Sequence, residues 1–239
     1  MSRQRLDKFI SNQLIVSRSV VRQGIQRGEA AVNGMLVRDS GTLIDVDNDI
    51  IAYKGNIINY KEYVYILMNK PHGVLSAATD KMCKTVVDLV PDHLKRQGIV
   101  PVGRLDKDTT GLLIITDDGA FAHNCISPKK KISKSYIAHL DGDINEDMIA
   151  KFQNGVVLAD GTVCRSAILE RMDKNIARIT ITEGKYHQVK RMFGTVGLGV
   201  NGLHRESIGG LYLPNTLKFG ECIEMTKQQL EDCIYNKKV

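Results

Sequence analysis

The sequence predicts an α+β protein: a small αβ unit over residues 1–58, then a larger unit over 61–239 on a mixed, mostly antiparallel sheet. Three observations carry this prediction. Short strand candidates outnumber helix candidates, and hairpin turn signals such as Asn33-Gly34 and Asp160-Gly161 punctuate them. Hydrophobic residues make up 43% of the 239, enough for a sizeable core and against global disorder. The charge is also segregated. Residues 1–38 hold seven basic and two acidic side chains, +5 of a formal net charge of +6.

Taken in order, Leu6, Phe9, Ile10 and Leu14 are spaced as one face of a short helix. Ser17 or Ser19 can cap a second, with Val20, Val21 and Ile25 inward and Gly28 ending it. Arg18 and Arg22 lie four apart and share a face, with Gln26 one turn further. Ala31-Val32, the Asn33-Gly34 turn, and residues 35–37 and 50–53 make a small sheet. Asp39, Asp45, Asp47 and Asp49 gather on its loops, away from the arginines. Residues 54–62 are polar around two isoleucines and read as a linker. Residues 63–68 form an apolar strand ending in a turn, Asn69-Lys70-Pro71-His72-Gly73. Residues 99–102 make a further strand, and 112–115 a buried one. Asn145 caps a helix through Met148, Ile149 and Phe152, ended by Gly155. Ala177, Ile179 and Ile181 alternate with polar residues as a half-buried strand. Val189, Met192, Phe193 and Val196 form a helical stripe that starts near His187 and leaves Lys190 and Arg191 off it.

Several function classes drop out. The five cysteines are scattered and no CxxC occurs, so neither a disulfide framework nor a zinc site is expected. Gly197 to Gly202 spells GxGxxG but follows a helix candidate, which is the wrong context for a dinucleotide. There is no Walker loop, HExxH or GxSxG, and no metal or cofactor is expected. The start of the chain is polar, and no stretch approaches the eighteen apolar residues of a membrane span. A cytoplasmic protein with no membrane partner, expected to be monomeric, fits this. The basic N-terminal segment suits a polyanion such as nucleic acid, with a merely solvated basic face as the plain alternative.

Residues 103–119, GRLDKDTTGLLIITDDG, say most about chemistry. Asp106 sits ahead of a polar, glycine-marked turn that feeds the apolar run 112–115, so a loop fixed to a sheet would present it. Asp106, Asp108, Thr110, Gly111 and Asp117 also follow calcium-loop spacing, but that motif needs glutamate at its twelfth position and flanking helices. An ordinary polar hairpin is the other reading. The stretch resembles the active-site motif of the RsuA-like ribosomal RNA pseudouridine synthases, in which the aspartate after Gly-Arg-Leu is catalytic. Three more segments match that family: KKKISKSYIAHL over 129–140, EGKYHQVKRMF over 183–193 and LHRESIGGLYL over 203–213. RLDKFIS…SRSVVRQGIQRGEAAVNG, over residues 3–51, resembles the S4-type RNA-binding domain.

The resemblance implies that a uridine of ribosomal RNA is flipped into a pocket and isomerised to pseudouridine, with Asp106 as the catalytic carboxylate. It implies that Tyr136 packs against the target base and that Arg104 braces the vacated position. It also implies that Lys190 pairs with Asp106, keeping the carboxylate ionised. Phosphate contacts would come from Arg5, Lys8, Arg18, Arg22 and Arg27 in the S4-type domain, and from Lys134, Lys185 and Arg191 in the catalytic one, beside Lys129, Lys130 and Lys131. HQVKRMF with LHRESIGG is most similar to the small-subunit branch, acting on one uridine of 16S RNA. A 23S enzyme of the same branch, or a non-catalytic rRNA-binding or assembly protein, are the alternatives. The partner is ribosomal RNA, free or in an assembling particle.

Overall fold

The computed structural model describes residues 3–235 and divides into two compact units, one up to Val64 together with Asp92–Ile99, the other Tyr65–Pro91 with the rest from Val100. In the first unit the elements run β1 (Arg3–Arg5), α1 (Leu6–Gln13), α2 (Arg18–Gln26), β2 (Ala30–Val32), β3 (Met35–Val37), β4 (Leu43–Asp45), β5 (Ile51–Tyr53) and β6 (Asn56–Ile58). Strands β3-β2-β5-β6 form one antiparallel sheet, and β1 pairs with β4. Ser17 caps α2 by accepting from the Val20 amide. Asn33 and Gly34 both take positive φ, as a tight hairpin requires. Leu6, Phe9, Ile10, Val21 and Ile25 bury themselves against Ile44, Ile51 and Tyr53.

Three expectations are corrected in this unit. Val20 is exposed rather than inward, because the buried stripe of α2 runs through Val21, Gly24 and Ile25. Residues 54–58 are not a linker: Lys54-Gly55 is a turn, and β6 pairs with β5 from Ile58 to Asn56. The unit is also discontinuous in sequence. Residues 92–99 join it, burying Leu94 and Ile99, and the Arg96 guanidinium donates to the carbonyls of Lys61 (2.6 Å) and Glu62 (3.2 Å).

The second unit runs β7 (Tyr65–Lys70), β8 (Val100–Pro101), β9 (Thr110–Thr116), α3 (Gly119–Ile126), β10 (Lys134–Leu140), α4 (Glu146–Asn154), β11 (Ile168–Asp173), β12 (Ile176–Ile181), α5 (Gln188–Gly194), β13 (Val200–Ile208), β14 (Leu211–Tyr212), β15 (Cys222–Met225) and α6 (Lys227–Tyr235). Its sheet has the order β11-β12-β10-β13-β9-β7-β15, with β14 on β13 and β8 on β9. The β9–β13 pairing is parallel and the other pairings are antiparallel, so the sheet is mixed and mostly antiparallel. Asn145 caps α4, and Gly155 ends it at positive φ. The 112–115 run is fully buried in β9, packing one face with Tyr65, Leu67 and Phe121.

The register across this sheet places the site. Tyr136 on β10 faces Ile179 on β12 and Arg205 on β13, and Arg205 in turn faces Gly111 on β9, directly after the Asp106 loop. Gly111 must be glycine there: its φ is +103°, and a Cβ would lie 2.3 Å from the Arg205 carbonyl oxygen.

Candidate active site

The Asp106 loop is held by side chains of Lys70 and Ser76. Ser76 latches it, donating to the Leu105 carbonyl (2.8 Å) and accepting from the Leu105 amide (3.1 Å). The loop closes on itself through the Thr109 amide and the Asp106 carbonyl (3.1 Å). Below it lies Lys70, which is fully buried. Its Nζ donates to the carbonyls of Pro71 (3.0 Å), Lys107 (3.2 Å) and Thr109 (2.8 Å). Burial pulls this lysine down to about 8, although Asp108 and Asp106 act the other way. The sequence pattern assigns Lys70 to a turn. In the structure it is the last residue of β7, where only an ammonium matches three converging carbonyls.

Asp106 opens onto a cavity of about 90 Å³ walled by Arg104, Tyr136, Ile181, His187, Lys190 and Leu203. Tyr136 and Ile181 supply flat and apolar surface, and Arg104 stands exposed at the rim. His187 Nε2 lies 3.4 Å from Asp106 Oδ1, and Lys190 Nζ lies 3.8 Å from Oδ2. The structure therefore gathers Asp106, Tyr136, Arg104 and Lys190 around one cavity. The expected pair of Lys190 with Asp106 is thus present, but it is the longer of two. Lys190 bonds both oxygens of Asp108 at 2.6 Å, so its tighter partner is the second aspartate of the loop. That bond holds Asp108 below the usual carboxylate range.

His187 opens the HQVKRMF run, but sequence reasoning gives it no role, since most of the six scattered histidines read as structural. It sits before α5 in the left-handed region (φ 47°) and stacks on Tyr186 at 3.8 Å. Gln188 fixes this turn by donating to Glu183 (2.9 Å) and accepting from the Lys185 amide (2.9 Å). On the far side of Lys190 and Leu203 a second cavity, about 410 Å³, is lined by His72, His139, His204 and Phe219. Burial lowers His204 below an ordinary imidazole.

The basic residues expected on phosphate divide into groups. Lys129, Lys130 and Lys131 are exposed, as is Lys8. Lys185 is tied to Glu183 and to the Val163 carbonyl, and Arg191 to Asp160, so both are spent on the protein as the structure stands. Lys134 points inward and donates to the Ile132 carbonyl (2.9 Å), away from the exposed run before it. In the first unit Arg5, Arg18 and Arg22 converge on the fully buried Asp7, with contacts of 3.2, 2.9 and 2.7 Å. Burial raises the Asp7 carboxyl, but the bonds from Arg18, Arg5 and Arg22 outweigh it and hold the group well below the usual range. One carboxylate against three half-exposed guanidiniums leaves an outward positive face. Asp39 also acts on Arg5, so that aspartate is not remote from the arginines as expected. Arg27 is paired with Glu29 at 2.8 Å.

Comparison with known proteins agrees with this geometry. Residues 64–195 match the RNA pseudouridylate synthase family model, and residues 4–51 match the S4 domain. A Bacillus subtilis protein named uncharacterized RNA pseudouridine synthase YtzG is 39% identical over 95% of this chain and 96% of its own length. Proteins named ribosomal small subunit pseudouridine synthase A are 36% identical in Escherichia coli K12 (96% of this chain, 100% of that one) and 38% in Vibrio cholerae (95% and 97%). A crystal structure of a pseudouridylate synthase superposes with a TM-score of 0.68 at 34% identity, covering 96% of this chain and 99% of the other. A cavity floored by a sheet, with an aspartate, a tyrosine and a lysine at its wall, and a chain matched almost end to end lead to one assignment: this protein belongs to the RNA pseudouridylate synthase family, as an RsuA-like pseudouridine synthase with an N-terminal S4 domain.

Proposed function

We propose that this enzyme converts one uridine of small-subunit (16S) ribosomal RNA to pseudouridine, with Asp106 as the reacting carboxylate. The observation that carries the reading is the placement of Asp106: a carboxylate on a braced loop, opening onto a cavity whose wall includes the Tyr136 ring. The flipped uracil stacks on Tyr136, since every base offers a flat face to an aromatic ring. The N1–C1′ bond breaks, the base turns, and C5 bonds to C1′. The C5 proton is lost and N1 regains one, so the reaction is an isomerisation with no redox balance to supply. Lys190 and His187 surround the carboxylate with donors, and Arg104 stands at the rim where the base leaves its helix.

The residues before about 58 act as the RNA-holding module through the Arg5, Arg18 and Arg22 face with Lys8, and the remainder as the catalytic domain. The substrate is ribosomal RNA, free or within an assembling particle, met by a monomer in the cytoplasm. The names of the relatives support the small-subunit target. Among the described residues no helix is long and apolar enough to cross a membrane.

Mapping pseudouridine in 16S and 23S RNA from cells with and without the gene tests the target: one 16S position should revert to uridine. Asp106→Asn should abolish conversion while RNA affinity stays within a few fold. Turnover above roughly a hundredth of wild type would remove Asp106 from the role, because acid–base terms alone are worth about 10²–10⁴.

A further inference from the structure

Next to Tyr136 lies another cavity, about 110 Å³, that shares Arg104, Tyr136 and Gly184 with the Asp106 cavity. Besides Arg104, two cations meet in its wall. Lys134 is two residues before Tyr136 on β10, and Arg205 is the cross-strand partner of Tyr136 on β13. The other lining residues, among them Val102, Cys125 and Ile208, carry no carboxylate. Arg205 is 3% exposed. Its Nε donates to the Leu112 carbonyl (2.8 Å), and its buried Nη2 has no partner. The groups acting on Lys134 are burial, Arg205 and the Cys125 thiol. Burial pushes that thiol up to about 11, so it is neutral at pH 7 and supplies no counter-charge. A half-buried ammonium beside a buried guanidinium without an anion is costly, and a bound anion removes both the repulsion and the orphaned donor.

We infer that Lys134 and Arg205 form an anion subsite that takes one phosphodiester of the substrate strand beside the target uridine. The inference rests on the RNA-modifying reading above for its ligand. The shared wall makes the connection: a nucleotide whose base stacks on one side of Tyr136 brings a backbone phosphate within reach of the other. A guanidinium anchored by Nε presents its remaining nitrogens as a fixed fork, the geometry that suits phosphate oxygens. Lys134 adds a point charge.

The test compares wild type, Lys134→Met and the exposed control Lys151→Met. Each is titrated with a single-stranded 16S fragment containing the modified position, and with copies in which single linkages are neutral methylphosphonates. Lys134→Met should weaken binding and flatten the salt dependence by about 0.7 in slope, one phosphate contact on a single strand. One methylphosphonate next to the target should weaken wild type about tenfold, the scale of a charge-assisted hydrogen bond, and should add little in Lys134→Met. Lys151→Met should behave as wild type towards that linkage. The melting temperature of Lys134→Met should hold or rise, because a half-buried charge repelled by Arg205 is gone; a purely structural lysine predicts a fall. Wild-type affinity and slope in Lys134→Met, or methylphosphonate penalties identical in the two enzymes at every linkage, overturns the subsite. Binding does not require turnover. A wild type that binds the fragment but never converts it would overturn the proposed reaction, while the subsite still stands or falls on the binding measurements.

Discussion

Lys190 divides its ammonium between two aspartates, 2.6 Å from Asp108 and 3.8 Å from Asp106. Asp108 therefore acts as a tether that aims the lysine at the loop. Lys190→Met should lower kcat by roughly 10²-fold, the weight of one electrostatic donor in a shielded site, with little change in RNA affinity. Asp108→Asn should cost less, because the freed ammonium can close on Asp106. Equal kcat in Lys190→Met and wild type would make the lysine a surface group. Lys70 gives a second test, through pH. Burial holds Lys70 and Lys134 at about 8, against 10.5 for a free lysine. Between pH 8 and 9 the folded chain thus releases protons that the unfolded chain keeps, and stability should rise with pH. Above about 9 the Cys125 and Cys222 thiols, raised to about 11, offset this rise and flatten the curve, since unfolded thiols ionise first. Activity should run the other way. A neutral Lys70 amine has two hydrogens for three carbonyls, so kcat should fall across the interval in which the melting temperature climbs. A rate that stays flat to pH 9 would show that the charged form of Lys70 does not brace the loop.

At the scale of elements, the parallel contact between β9 and β13 and the capped start of α3 bear most on the site. Gly111→Ala would press a Cβ between the Arg205 nitrogen (2.7 Å) and oxygen (2.3 Å) at a backbone φ that L residues avoid. A loss of about 4 kcal/mol or more is expected from steric overlap plus strain, read as a lower urea midpoint with unchanged slope. Asp118 caps α3 by accepting from the Phe121 amide (2.9 Å). It also accepts from the buried Tyr65 hydroxyl (2.7 Å) and pairs with Lys227 (3.2 Å). Asp118→Ala should cost about 2–4 kcal/mol, a lost cap plus an unsatisfied phenol. Asp118→Asn, which keeps an acceptor, should recover part of that in the same melt. Many elements are legible in the sequence. Ser17, Asn145 and Gly155 signal helix ends by their own chemistry, and 112–115 announces a buried strand by its unbroken apolar run. The β6 strand is not legible, because Asn56, Ile57 and Ile58 make a three-residue edge with no period long enough to detect.

For the molecule as a whole, the positive face of the N-terminal unit depends on one buried acid. Asp7→Asn should destabilise that unit by about 3 kcal/mol, the low end for breaking a buried ion pair, since the arginines can rehydrate. Hydrogen exchange should speed up in α1 and α2 while the β9 and β10 amides keep their protection; uniform loss in both units would refute the local role. Because Asp7 is held in its charged form, its contribution is present above the ordinary carboxyl range and is lost as pH falls below it. Changing Arg18 and Arg22 together to Gln should weaken RNA binding and flatten the salt slope by about 1.4, two single-strand phosphate contacts. Deleting residues 1–58 is a poorer test, because residues 92–99 belong to the same unit and would lose the elements they pack with.

The α+β class, many of the elements, the segregated charge and the identity of the loop that carries Asp106 can all be read along the chain. Each of these is written in neighbouring residues: periodicity, caps, turn dipeptides and one contiguous motif. Folding alone reveals that Lys190 bonds Asp108 across 82 positions, that Lys70 reaches the Thr109 carbonyl 39 residues away, and that three arginines share Asp7. It also sets Arg205 beside Tyr136. Spacing along the chain carries no record of such pairings, because strand register and burial choose the partners, and an ammonium or guanidinium looks the same in a sequence whether it meets water, a carboxylate or a buried carbonyl.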